Sequence, residues 1–175
     1  MIKVVSALFI ISQKNFNDTE FSVTKRILEQ AGVKVTVSSI SRDEATGMSG
    51  LKITPEKKIS EVSVDEYDVL VIIGGSGSPT LLDYPEVLDK VRAFDERGKI
   101  IAAICLGPAI LARAGVLKGI NSTVFPSEWA IALFMRNGAK YTPEHVVVDK
   151  NIITADGPDS VEEFANRILK KLSMQ

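Results

Sequence analysis

Short apolar runs rich in β-branched residues alternate with helix-like stretches along the whole chain. Residues 4–11, 33–37, 67–73 and 100–104 carry almost no charge, so each reads as a strand buried on both faces, the condition of a parallel sheet covered by helices. Residues 18–31, 85–96, 109–114, 127–136 and 160–172 have helical spacing or composition, and Gly32, Gly98 and Gly115 act as stop signals. Weaker strand-like pieces at 121–124, 146–148 and 152–154 extend the alternation. A repeated strand–helix unit predicts a three-layer α/β/α sandwich around a mostly parallel sheet, with ligands bound beyond the carboxyl ends of the strands. The 175 residues, 45% of them hydrophobic, suffice for one domain, 1–175, with a proper core.

Residues 41–63 break the rhythm. They are polar and turn-rich, with Gly47, Gly50 and Pro55, and the apolar piece at 51–53 suggests a hairpin excursion. The N-terminal apolar run is too short to span a bilayer and no small-x-small cleavage pattern follows it, so it reads as the first strand rather than a signal peptide. A net charge of -1 gives no general attraction for nucleic acid or for an anionic membrane.

Cys105 is the only cysteine, and it stands where the run 100–104 stops and Gly107-Pro108 opens a helix. The pattern Ala103-Ile104-Cys105-Leu106-Gly107 is similar to the small-x-nucleophile-x-Gly elbow, whose small neighbours let the backbone fold tightly and push the nucleophile into the open. A following helix N-terminus favours thiolate and predicts a lowered thiol pKa. A free cysteine is also commonly a small buried hydrophobe, and position alone leaves both readings open. A lone thiol excludes an internal disulfide and suits a reducing compartment, so a cytoplasmic location is expected. With one histidine beside it there are too few soft ligands for a metal centre, and no cofactor is expected.

Gly74-Gly75-Ser76-Gly77 also follows a buried strand, but it has neither the G-x-G-x-x-G of dinucleotide folds nor the G-K-[ST] of a P-loop. The alternative is that a glycine N–H, Gly75 in particular, lies beside the thiol and forms with the N–H of Leu106 a donor pair of the oxyanion-hole kind.

These segments carry a family resemblance. Ile101-Ala102-Ala103-Ile104-Cys105-Leu106-Gly107-Pro108, followed by Ala114-Gly115-Val116-Leu117-Lys118-Gly119, strongly resembles the DJ-1/PfpI (ThiJ) superfamily, whose members read A-A-I-C-x-G-P and then A-G-V-L-x-G. The Gly74-Gly75 turn, Ala31-Gly32-Val33 and Ile153-Thr154-Ala155-Asp156-Gly157-Pro158 match in the same order. The resemblance implies a flavodoxin-like DJ-1/PfpI fold with Cys105 as a nucleophile-elbow cysteine, and homodimers or higher oligomers.

It also implies a glutamate at the start of the first helix whose carboxyl reaches the sulfur. Counting back from Ala31-Gly32 places it at Glu20, with Asp18 as the fallback because Thr24 stands where the family often has proline. Histidines that relatives carry are missing: Leu106 follows the cysteine, and Phe125 precedes Pro126. The sole histidine, His145, reads as a solvated strand-edge residue.

Without an imidazole, amide hydrolysis lacks the group that protonates a departing amine, whereas thiolate addition to an aldehyde and oxidation by peroxide need none. The expected function is a response to oxidants or electrophiles through Cys105, supported by Glu20. The alternative is a cofactor-free enzyme, glyoxalase-like on small oxoaldehydes or a PfpI-like peptidase or amidase. The expected partners are small electrophiles or oxidants and further copies of the chain. Trp129, Phe134 and Met135 are candidates for a contact face, although an apolar helical stripe is more often core.

Overall fold

The structure, a computed structural model, describes residues 3–175. In chain order it contains β1 (Ser6–Ile10), β2 (Lys14–Phe16), α1 (Asp18–Gln30), β3 (Lys34–Ser39), β4 (Ala45–Gly47), β5 (Lys52–Ile53) and β6 (Lys57–Lys58). There follow β7 (Val69–Ile72), α2 (Pro85–Glu96), β8 (Ile100–Ile104), α3 (Pro108–Ala114), β9 (Asn121–Ser122) and α4 (Glu128–Arg136). The chain closes with β10 (Lys140–Tyr141), β11 (Val146–Asp149), β12 (Ile152–Ala155) and α5 (Val161–Ser173).

Seven strands form the central sheet in the order β11-β12-β8-β7-β1-β3-β6. All neighbours are parallel except β11, which returns antiparallel along β12. Successive side chains of a strand point to opposite faces, and both faces here are covered. Leu8, Ile10, Leu70, Ile72, Ile101 and Ala103 pack against Val87, Val91 and Phe94 of α2, Ile110 and Leu111 of α3, and Leu133 and Phe134 of α4. Ala7, Phe9, Val69, Val71, Ile100 and Ala102 pack against Phe21 and Leu28 of α1 and Phe164 and Ile168 of α5. The chain is therefore the three-layer α/β/α sandwich that the uncharged runs predict.

Where expectation and structure differ, the reasons are local. The first strand starts at Ser6, and Val4 before it is 62% exposed. The excursion at 41–63 holds the expected hairpin, β4 with β5, and β4 also pairs with β2, giving a small three-stranded sheet that the polar sequence of β2 conceals. The piece at 121–124 is a strand only over β9, because the Thr123 N–H donates to the Thr154 hydroxyl and the Phe125 N–H to the Cys105 carbonyl instead of to a ladder. The candidate contact face splits: Phe134 is fully buried core, and Trp129 and Met135 are exposed.

Strand order reverses at β1: α1 leads from β1 to β3 on one side, and the chain then returns to β7 on the other. Loops leaving the carboxyl ends of β1 and β7 thus diverge, opening the crevice where open α/β sheets bind ligands. The β8 exit, Cys105, adjoins it.

Candidate active site

Cys105 ends β8 in the left-handed region, with φ 63, where a side chain with a Cβ is strained. Its backbone is held on both sides: its N–H donates to the Ala155 carbonyl and its carbonyl accepts the Phe125 N–H. The resulting sharp strand-to-helix turn aims the side chain into the crevice. Cys105 is nonetheless only 7% exposed, so the turn leaves the residue buried rather than in the open.

Glu20 arrives from α1. Asn17 caps that helix, its side-chain oxygen accepting the Glu20 N–H at 2.9 Å, which fixes Glu20 in the first turn. Instead of reaching back to the cap, the carboxyl crosses to the β7 exit, where Oε1 accepts the Gly74 N–H at 2.9 Å. The Gly74 carbonyl in turn accepts the Asn17 N–H at 2.9 Å, so one residue clamps the helix start from both sides. Glu20 is completely buried, and Oε2 has no N–H or O–H partner. The Cys105 thiol lies against the carboxyl.

The glycine pair is required by space. A Cβ on Gly74 would lie 2.6 Å from the Cys105 Cβ and 2.8 Å from Glu20 Oε1. Gly75 has φ +116, and a Cβ there would lie 2.5 Å from both the Asn15 carbonyl oxygen and the Asn17 nitrogen. Gly75→Ala is therefore expected to push the 74–77 loop off the Asn15–Asn17 segment. Measured by urea unfolding and iodoacetamide kinetics, it should cost about 2 kcal/mol or more and slow Cys105 alkylation roughly tenfold.

Electrostatics separate the two groups. Burial pushes the Glu20 carboxyl up to about 7, against the Gly74 N–H and the thiol, which pull it down. Burial, and then the negative charge of Glu20, push the Cys105 thiol up to about 12, against hydrogen bonds from the Gly75 and Leu106 N–H groups. The helix N-terminus therefore does not win: the lowered thiol pKa expected from it is replaced by a raised one. The pair titrates as a unit, carrying one negative charge above pH about 7 and a second only near 12. Within the singly charged pair the proton lies mainly on sulfur and the charge on the carboxylate, and the N–H groups of Gly75 and Leu106 pull the thiol down.

Cys105, Glu20, Gly75 and Leu106 are thus brought together. The fallback, Asp18, is not: its carboxylate accepts the Ser49 and Leu51 N–H groups, each at 2.9 Å, and ties α1 to the hairpin turn. His145 lies at the sheet edge with its side chain 82% exposed, its Nδ1 3.0 Å from Asp156 Oδ2. Exposed pairs of this kind contribute little, so His145→Ala should leave Cys105 alkylation within about twofold of the parent protein. Gly74 and Asn17 escaped the sequence reading as partners of Glu20, although Asn17 three residues before Glu20 is an N-cap signal. Thr24 is buried with its hydroxyl unpartnered. Among the described residues no group of three or more His, Cys, Asp or Glu side chains could hold a metal ion, and no helix is long and apolar enough to cross a membrane.

The DJ-1/PfpI family pattern matches residues 5–171. The chain belongs to the DJ-1/PfpI family. It is 41% identical over 172 residues to an uncharacterised protein of Methanocaldococcus jannaschii, covering 98% of this chain and 84% of that one. It is 27% identical over 168 residues to the glutathione-independent glyoxalase DJR-1.2 of Caenorhabditis elegans, covering 95% and 88%. Among solved structures, the ThiJ/PfpI domain protein of Brachyspira murdochii superposes with a TM-score of 0.94 at 35% identity over 99% of both chains. The Brachyspira murdochii protein therefore shares the fold over nearly its whole length.

Proposed function

We propose that Cys105 is a reactive thiol that captures small electrophiles and oxidants in a stress response, with Glu20 receiving its proton and the Gly75 and Leu106 N–H groups supporting the charge left on sulfur. The observation that carries this reading is the fully buried Glu20 carboxyl set against the thiol with its pKa near 7, since a proton acceptor works best when its pKa lies near ambient pH. With an aldehyde, Sγ bonds to the carbonyl carbon, the π pair moves to oxygen, and the thiol proton passes by way of Glu20 to that oxygen, giving a hemithioacetal. With hydrogen peroxide, Sγ bonds to one oxygen, the O–O bond breaks, and the leaving oxygen takes the proton and departs as water, leaving a sulfenic acid. Neither step expels an amine. Leu106 and Phe125 stand where the family resemblance implies a histidine in other members, and His145 is engaged with Asp156.

Turnover of small oxoaldehydes, as the name of the Caenorhabditis elegans relative suggests, is the second reading. It is favoured by the same carboxyl, because a group titrating near 7 can both take and return a proton on an aldehyde adduct. We place the protein in the cytoplasm, a reading supported by its single cysteine, and as a homo-oligomer, a reading supported by the exposed Phe125, Trp129 and Met135 side chains.

The test compares the protein with Cys105→Ser in three assays: methylglyoxal consumption, cleavage of a fluorogenic peptide, and peptide mass mapping after mild peroxide. Oxygen gained on the peptide that carries residue 105, separately from any gained on the exposed methionines, is expected in the parent protein and absent in Cys105→Ser, with or without methylglyoxal turnover. Robust peptide cleavage that depends on Cys105 overturns the proposal, and an unchanged mass of the residue 105 peptide after peroxide removes its oxidant half.

A further inference from the structure

Outside the thiol pair, one side chain touches the same loop from the solvent side. The turn between β4 and β5 is fixed from below: Asp18 holds the Ser49 and Leu51 N–H groups, and the Met48 N–H donates to the Phe16 carbonyl at 2.8 Å. This leaves the Met48 side chain lying over the 74–77 loop, where its sulfur accepts the Ser76 N–H at 3.4 Å. Ser76 directly follows Gly75, whose own N–H faces the Cys105 sulfur. Met48 is 51% exposed, so oxidants reach it from solvent without having to reach the buried thiol. Met135 and Met174 are more exposed, at 71% and 69%, but they lie on α4 and at the chain end, away from that loop.

We propose that Met48 is a reversible oxidation site whose sulfoxide weakens the reactivity of Cys105, whether that thiol senses, binds or turns over its partners. In the step, the thioether sulfur donates an electron pair to hydrogen peroxide, an S–O bond forms and the O–O bond breaks. The departing oxygen leaves as water; sulfur is oxidised by two electrons and peroxide is reduced by two. The new oxygen is a strong acceptor where the thioether is a weak one. An oxygen taking that N–H in place of the sulfur, now 3.4 Å from the nitrogen, lengthens the separation of sulfur and nitrogen. The Met48 backbone is pinned through Asp18 and Phe16, and the change is taken up by its side chain and by the 74–77 loop at Ser76. Displacing it draws the Gly75 N–H off the Cys105 sulfur, and loss of one such bond slows thiolate chemistry about three- to tenfold.

The experiment caps Cys105 as its methyl disulfide, treats the protein with hydrogen peroxide, removes the cap with dithiothreitol and follows iodoacetamide alkylation at pH 7.5. Peptide mapping should show one added oxygen on Met48, and alkylation should slow about three- to tenfold, recovering after methionine sulfoxide reductase. Met48→Leu put through the same treatment should keep its rate, since oxidation of Met135 and Met174 proceeds there too. Untreated Met48→Gln, which places an amide oxygen near Ser76, should already be slow. The proposal is overturned if Met48 stays unmodified while Met135 and Met174 gain oxygen. It is equally overturned if Met48 is oxidised and alkylation is unchanged, or if Met48→Leu slows as the parent does.

Discussion

Replacing Glu20 by leucine is expected to move the inflection of Cys105 alkylation from near pH 7 to above 9.0, the ordinary value for a cysteine, and to slow the reaction at pH 7.5 by roughly 10²-fold. In the parent protein the pair loses its first proton near 7, and the resulting single charge lies mainly on the carboxylate, which takes the thiol proton as sulfur reacts. Thiolate is then available by internal transfer, without the second ionisation near 12. Leucine removes the repulsion that raises the thiol, but it also removes the only group that takes its proton inside the pocket. What remains is a buried thiol, raised by desolvation and lowered by the Gly75 and Leu106 N–H groups, with burial the larger influence. An alkylation profile that keeps its inflection near 7 would reassign the proton acceptor. Because leucine also leaves the Gly74 N–H unpartnered, Glu20→Gln is the companion variant: its side-chain oxygen can accept that N–H, and it too should lose the inflection near 7.

Much of this was readable before any coordinates, and the reasons are physical. Buried parallel strands need uncharged runs on both faces, so β1, β7 and β8 announce themselves, and α2 and α3 are bounded by proline at their starts and by glycine at or just past their ends. Cys105 was legible because the elbow constrains its neighbours: small residues before it and Gly107 after it. Glu20 was reached only through the family resemblance, since an acid in the first turn of a helix has an ordinary reason to be there. The ionisation of the pair was not legible. Desolvation and the Glu20 charge outweigh the helix N-terminus at Cys105, and how deeply the residue lies depends on tertiary packing around Gly74, Leu106 and Glu20. Met48 was invisible for a related reason: its partner, the Ser76 N–H, comes from a different segment, brought alongside by the β2–β4 pairing and the Asp18 clamp.

Glu20 should also set the pH dependence of stability. Its carboxyl titrates near 4.5 when unfolded and near 7 when folded, because charging it in place means charging a buried group. A folded pKa above the unfolded one means that the stabilising contribution is complete below 4.5 and is lost as pH rises through about 7; the interval corresponds to about 3 kcal/mol. Urea unfolding of the parent protein should therefore show lower stability at pH 8 than at pH 5, beyond what its surface pairs explain. Glu20→Gln keeps the shape and the acceptor for the Gly74 N–H while abolishing the titration, so its stability should vary little over the same range. At pH 8 it should exceed the parent by up to about 3 kcal/mol, less what the lost hydrogen bond to the thiol contributed. A site that gains stability when its acid is neutralised is one that retains the charge for its chemistry. If Glu20→Gln unfolds at lower urea than the parent at pH 8, the charged carboxylate is stabilising where it lies and a raised pKa has no part in driving the thiol.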